Sequence, residues 1–463
     1  MTETGASAGA AGVKPVARKR TRIFYLDLVR ALAALLIVLT HFNNPYLADG
    51  GYVLTNFPFG IYVGGLGVSL FLIISGAALT VTYRRPINLK RFYWKRCLNI
   101  YPMFWTAWVL ATLYFFVTTG GRPPNSAPTR SLIFTVLGVD GLVANFQVRT
   151  AYLLGEWFLG FILLYYLVFP ALLWAIDRFP VVTGVVILVA YAATVIVMQR
   201  YFAGYPSAMI LTTRLPELAF GSYFVLYVRR VHWAVVFPAA AVLAVSAMLP
   251  EEIPEDVATT LVGISAFLIL VVVGRYVAIQ PVRALVDLIA KYSYPIFLVH
   301  HVVIWHLSHR IDVYGLFPIQ RYILLAAEFV LIFALSVALE KVTAIVVDFV
   351  TTAYAKVKIE TALRRHQREL VTRGEELLEA ALSETGRPLS SDIINKLTHL
   401  YSFDRPDTLL RHIGDGSFSL PQDLDAVLRG KSEGRLGRVS RAIGGLFSSG
   451  RDKAAKGSTE TEG

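Results

Sequence analysis

Apolar residues in this chain fall into ten runs separated by short polar connections, and each run is about the length needed to cross a bilayer as a helix. They cover residues 24–42, 60–82, 98–118, 151–174, 180–198, 207–228, 232–249, 257–274, 289–307 and 319–346. The pattern predicts an all-α polytopic membrane bundle of about ten transmembrane helices spanning residues 23–346. Past 346 the apolar content falls. Leucines and alanines at helical spacing over 370–382, and a weaker repeat over 390–400, predict a small helical module at 355–429. From 430 to 463 Gly, Ser, Lys and Arg dominate, the composition of a disordered basic tail.

Composition agrees with the membrane assignment: 55% of the 463 residues are hydrophobic and 16% charged. Charge then orients the spans. Arg84, Arg85, Lys90, Arg91, Lys95 and Arg96 crowd the connection after the second run, and basic short loops are retained on the cytoplasmic side. Alternation from there puts Arg229, Arg230, Arg275, Arg283 and Lys291 inside, and the acidic stretch 251–256 outside. Both termini then face the cytoplasm, as expected of a multi-pass protein of the inner membrane. Residues 1–22 carry five Lys or Arg before the first apolar run with no small-residue cleavage pattern after it, so a retained basic tail is expected. Cys97 is the single cysteine, which excludes an intrachain disulfide or a thiolate cluster.

Polar residues inside the apolar runs carry the candidate chemistry, because ionisable groups in a bilayer are costly and mark functional sites. Arg30 and His41 lie eleven positions apart in the first run. Helical geometry puts them on one face, roughly 16 Å apart along the axis. Asp27 can pair with Arg30 three positions on. Ala31, Ala34 and Val38 share that stripe and either leave room beside it or mark a close helix contact. His41 alone is as compatible with an interhelical hydrogen bond as with catalysis.

Other features are less specific. Gly65, Gly67, Ser69, Ser75 and Gly76 keep the second run thin, a common packing pattern. The stretch 91–105 interleaves Arg91, Lys95 and Arg96 with aromatics, suiting anionic headgroups or an adenine ring with phosphates. Pro102 is expected in the first turn of the third helix. Arg214 and Glu217 form an ion pair by spacing; Glu328 has no evident partner. His300, His301 and His306 lack the spacing and carboxylate company of a metal site, so no metal is expected. The Gly- and Pro-rich connection from 118 to 150 is an irregular external loop, either a linker or a cover.

In order and spacing, several motifs resemble the acyltransferase 3 family of bacterial integral membrane acyltransferases over about residues 22–345. They are LDLVR at 26–30 with His41, GVSLFLIISG at 67–76, RCLNIYP at 96–102, WFL at 157–159 followed by Tyr166, and YSYPIFLVH at 292–300. The resemblance implies an O-acyltransferase that moves an acyl group, usually acetyl, from cytoplasmic acetyl-CoA or another acyl-CoA to a hydroxyl of an extracytoplasmic envelope glycan or glycolipid. On that pattern His41 is the base or transient acyl carrier, and Arg30 and Arg96 hold the donor. Asn99 stands where a second arginine is expected, leaving Lys95 or Arg91 to supply the charge. Ser75, Glu156 and His300 are supporting candidates.

Chemistry points the same way, since a sugar hydroxyl attacking a thioester needs a base that works near neutral pH, and histidine suits this best. Expected partners are the bilayer and the acceptor, with no nucleic acid. The module after 355 would meet a protein or, through Arg435, Arg438 and Arg441, anionic lipid. Two other classes compete. A permease or flippase for an envelope lipid or sugar intermediate would use the same intramembrane charges without bond chemistry, and a scaffold would act through the tail.

Overall fold

A computed structural model describes residues 23–382 apart from Asp49, 84–85, 122–126, 203, 229 and 251, with side chains described mainly up to 359. The remaining tail segments, Arg84, Arg85, Arg229 and the helical repeat read at 390–400 lie outside the described residues. Twelve α-helices and no strand occur among the described residues: α1 Phe24–Asn43, α2 Val63–Thr82, α3 Leu89–Thr118, α4 Leu132–Leu137, α5 Asp140–Ala144, α6 Trp157–Arg178, α7 Pro180–Tyr201, α8 Leu211–Tyr227, α9 Val236–Met248, α10 Glu255–Tyr276, α11 Gln280–Ser308 and α12 Pro318–Leu382. The protein is an all-α polytopic bundle.

Each apolar run contains one main helix. Seven of the ten are long and apolar enough to cross a membrane. Those not among the seven are α9 and α8, with 13 and 17 residues, and α11. The chain divides into two units, Met1–Val347 and Asp348–Gly463. In the second, the described residues are the last part of α12, which contains the repeat read at 370–382.

Several boundaries differ from expectation: α11 begins at Gln280, nine residues before its apolar run, and α12 continues to Leu382, past the expected end at 346. α3 starts at Leu89, nine residues before the apolar run, because Asn88 accepts a hydrogen bond from the Arg91 backbone N–H and the basic aromatic stretch is itself helix-compatible. Pro102 therefore lies well inside the helix rather than in its first turn. The connection after α3 is no plain linker either. It forms α4 and α5, joined at Gly138 in the left-handed region (φ 71°), and α5 packs on α6 where Gly141 meets the Trp157 backbone.

Close approach defines the centre. Gly76 of α2 sits against the Leu218 carbonyl of α8, and Gly221 of α8 against the Ile73 carbonyl of α2, so neither has space for a Cβ. Thr80 Oγ1 donates to Ser222 Oγ (3.0 Å) across the same contact. α1 packs on both α2 and α11. Ala31 meets Val286 and Ala290, and Val38 meets Tyr292 and Ile296, so the alanine stripe of α1 is a helix contact rather than open space.

Candidate active site

Inside this bundle lies a cavity of about 950 Å³. Its α2 wall runs from Gly64 to Thr82, almost the whole helix, which at 1.5 Å per residue is about 27 Å. Such a passage nearly spans the apolar layer.

One end is cationic. Arg30, Arg96, Asn99 and Lys291 line it with Tyr166 and Tyr294. Arg30 Nη1 donates to Asp27 Oδ1 (3.2 Å), the pairing expected from their spacing. Arg96 donates to the Tyr83 hydroxyl (3.0 Å) and lies 5.3 and 5.7 Å from the Tyr83 and Tyr166 ring centres. This fixes the guanidinium between two aromatic faces. Lys291 Nζ is 3.1 Å from Glu340 Oε2. Arg96 and Asn99, three apart on α3, share the cavity face. Arg91 and Lys95 do not line it and are exposed, because both lie well round the helix from that face. The extra charge expected from them is thus not brought to this cavity.

Further along, Ser75 lines the wall with its hydroxyl donating to the Phe71 carbonyl (2.7 Å). His41 lines it near the C-terminus of α1. Its Nδ1 is 3.3 Å from Asn44 Nδ2, and the Tyr62 hydroxyl donates to Asn44 Oδ1 (3.2 Å). Two more imidazoles flank it, His300 with ring centres 4.9 Å apart and His301 at 5.2 Å. His300 is buried behind the cavity wall; its Nδ1–H donates to the Phe297 carbonyl (2.8 Å), which leaves Nε2 as the acceptor nitrogen, buried without a partner. His306 instead meets the Tyr114 hydroxyl. No cluster fit to hold a metal occurs among the described residues.

Glu156 is fully buried just before α6, where Oε2 accepts from the Leu154 N–H (2.7 Å). Its neighbours Gly155 and Trp157 line the cavity, but Glu156 does not. Asp140 of α5 is also fully buried, and burial pushes its carboxyl up to about 6. The far end of the cavity is lined by Tyr205, Ser207, Arg214, Glu255, Asp256 and Thr259. Asn44, Tyr62, Ser207 and Asp256 were not among the sequence candidates; only Asn44, one turn beyond His41, had a signal, its i, i+3 spacing.

Residues 23–341 match the profile of the acyltransferase 3 family, described as an acyltransferase domain. The chain belongs to this family. No curated protein and no solved structure gives a significant match. The matched region of this membrane acyltransferase takes in α1 to α11 and the first part of α12, and the cavity lies wholly within it.

Proposed function

We propose that the protein is an inner-membrane O-acyltransferase that moves an acyl group, most simply acetyl, from cytoplasmic acyl-CoA to a hydroxyl of an extracytoplasmic glycan or glycolipid. One observation carries this reading: a single membrane-length cavity has Arg30 and Arg96 at one end and His41 towards the other. The basic start of α3 supports a cytoplasmic Arg96 end, with both termini on that side. Permanently charged guanidinium groups suit the phosphates of CoA, and Tyr166 and Tyr294, which line the same end, supply aromatic surface for an adenine ring. Because Asn99 carries no charge, donor binding rests on Arg30 and Arg96, with Lys291 near them. The roughly 16 Å from Arg30 to His41 is comparable to an extended pantetheine arm.

His41 removes the proton from the acceptor hydroxyl as that oxygen attacks the thioester carbon. The C–S bond breaks, and the proton on His41 passes to the leaving thiolate, so thiol and ester form with no net change to the ring. This requires a lone pair on the cavity-facing nitrogen. In the observed arrangement Asn44 Nδ2 donates to Nδ1, which puts the proton of the neutral ring on Nε2. A half-turn of the Asn44 amide reverses this, with Nδ1–H donating to Oδ1 and the amide N–H donating to the Tyr62 hydroxyl. Tyr62 satisfies both states because a hydroxyl donates or accepts.

A permease needs the same passage, so the deciding experiment must read bond chemistry. Acetyl content of purified envelope glycans and glycolipids is compared between cells carrying the wild-type chain and His41→Ala at matched membrane levels. Loss of an acetylated species in the variant is expected; equal acetylation would overturn the reading.

A further inference from the structure

From the far end of the cavity we infer that the acceptor presents a hydroxyl-rich ring bearing no negative charge: a neutral or amino sugar, not a uronate or phosphorylated one. This rests on the acyl-transfer reading above and adds which acceptors that end admits.

The charge pattern carries the argument. Among the described residues Arg214 is the cation lining this end, and it is already engaged, with Nη1 donating to Glu217 Oε1 (3.1 Å) and Nε to the Ala208 carbonyl (3.4 Å). Glu255 and Asp256 are left as the net charge, opposite in sign to the Arg30 and Arg96 end. Both stand in the first turn of α10, where the helix dipole favours acids. That explains acids at this position on the chain, but not two of them lining a cavity.

A second, independent feature points to a hydroxylated ligand. Thr40, adjacent to His41 and 2% exposed, lines the cavity with Oγ1 buried and unpartnered. A buried hydroxyl without a partner costs free energy that a ligand hydroxyl would recover. Ser207 Oγ donates to Asp256 Oδ1 (3.0 Å), which orients the carboxylate while its oxygens keep acceptor capacity for sugar hydroxyls or an ammonium. Tyr205, stacked on Phe146 at 25°, gives a flat apolar face of the kind that lines ligand pockets. Among the described residues, a carboxylate or phosphate on the acceptor would meet Glu255 and Asp256 with no cation lining that end besides the engaged Arg214, and such like-charge contacts disfavour binding strongly.

The test uses the full-length protein in lipid nanodiscs and two probes that differ only at C6, phenyl β-D-glucopyranoside and phenyl β-D-glucuronide, with binding read by calorimetry. Wild type is expected to bind the glucoside about tenfold or more tightly over the glucuronide. Glu255→Gln with Asp256→Asn should bring the two affinities to within about threefold. The same narrowing in Asp256→Asn alone, with unchanged thermal unfolding, guards against a folding defect in the double variant. Equal binding of the two probes by wild type, no binding of either at millimolar concentration, or a preference that survives both variants would each overturn the inference. His41→Ala should keep the preference. If that variant also acetylates normally in cells, acyl transfer by His41 falls while the charge selection stands.

Discussion

α2 and α7 are both apolar helices of membrane length, 20 and 22 residues, yet 78% of the spanning window of α2 is buried in the protein and only 17% of that of α7. Hydropathy does not separate them, because lipid tails and protein interior are equally apolar. Small residues do. α2 carries Gly64, Gly65, Gly67, Ser69, Ser75 and Gly76, and these let α1, α8 and α10 come close. α7 presents Val181, Val182, Val185, Val186, Leu188 and Val189, all exposed. The wall of the cavity follows the same division, since α2 lines it along its length and α7 contributes nothing to it. The centre is built for close backbone approach and chemistry, the rim for contact with hydrocarbon.

The strongest way to break this division is His41→Ala on α1, packed beside α2. With His41 in the proposed role of base, its loss is expected to lower turnover by about 10²–10⁴-fold, measured as acyl transfer per amount of folded protein. Retained turnover would move the chemistry away from the centre. Next in size is Gly221→Val on α8. Its side chain would collide with the Ile73 carbonyl, and overpacking at a backbone contact costs roughly 3 kcal/mol or more. Unfolding in detergent should report this loss, with Gly221→Ala in between. A neutral result would mean that α2 and α8 are not as close as their glycines imply.

These two positions also show what was legible in the sequence. Every apolar run became a helix, because twenty apolar residues fix both length and type once the backbone must satisfy its own hydrogen bonds in lipid. Arg30 and His41 line one cavity, as three helical turns dictate. What helical spacing could not supply was the neighbour across each face. Ala31 and Val38 turned out to meet α11, and Arg91 and Lys95, close to Arg96 in sequence, sit around the helix from it. Asp256 and Ser207 are 49 positions apart, and only folding brings them within 3.0 Å.

Between centre and rim sits the α4–α5 segment, where pH sharpens the picture. Burial raises the Asp140 carboxyl from 3.8 to about 6, so the fold favours its protonated form. Its contribution to stability is complete below the unfolded value and is lost as pH rises through about 6. The loss amounts to at most about 3 kcal/mol. Asp140→Asn removes it: the variant should gain stability relative to wild type between pH 4 and 6 and hold a constant advantage above, as measured by thermal unfolding across pH. An advantage largest in acid would reverse the sign and disprove the burial argument.

The smallest expected effect tests the rim itself. Val185 of α7 is 54% exposed, so Val185→Leu adds a methylene where no protein atom must move. Stability and turnover should both stay within about 0.5 kcal/mol of wild type. The same enlargement at Val68 of α2, 6% exposed and lining the cavity, adds volume to a packed wall and should cost about 1–3 kcal/mol. The pair is informative because both changes have the same transfer free energy into lipid, so any difference reports packing alone. Should Val185→Leu prove as costly as the change at Val68, α7 would have a protein neighbour in the membrane, and its apolar face would be an interface rather than a lipid boundary.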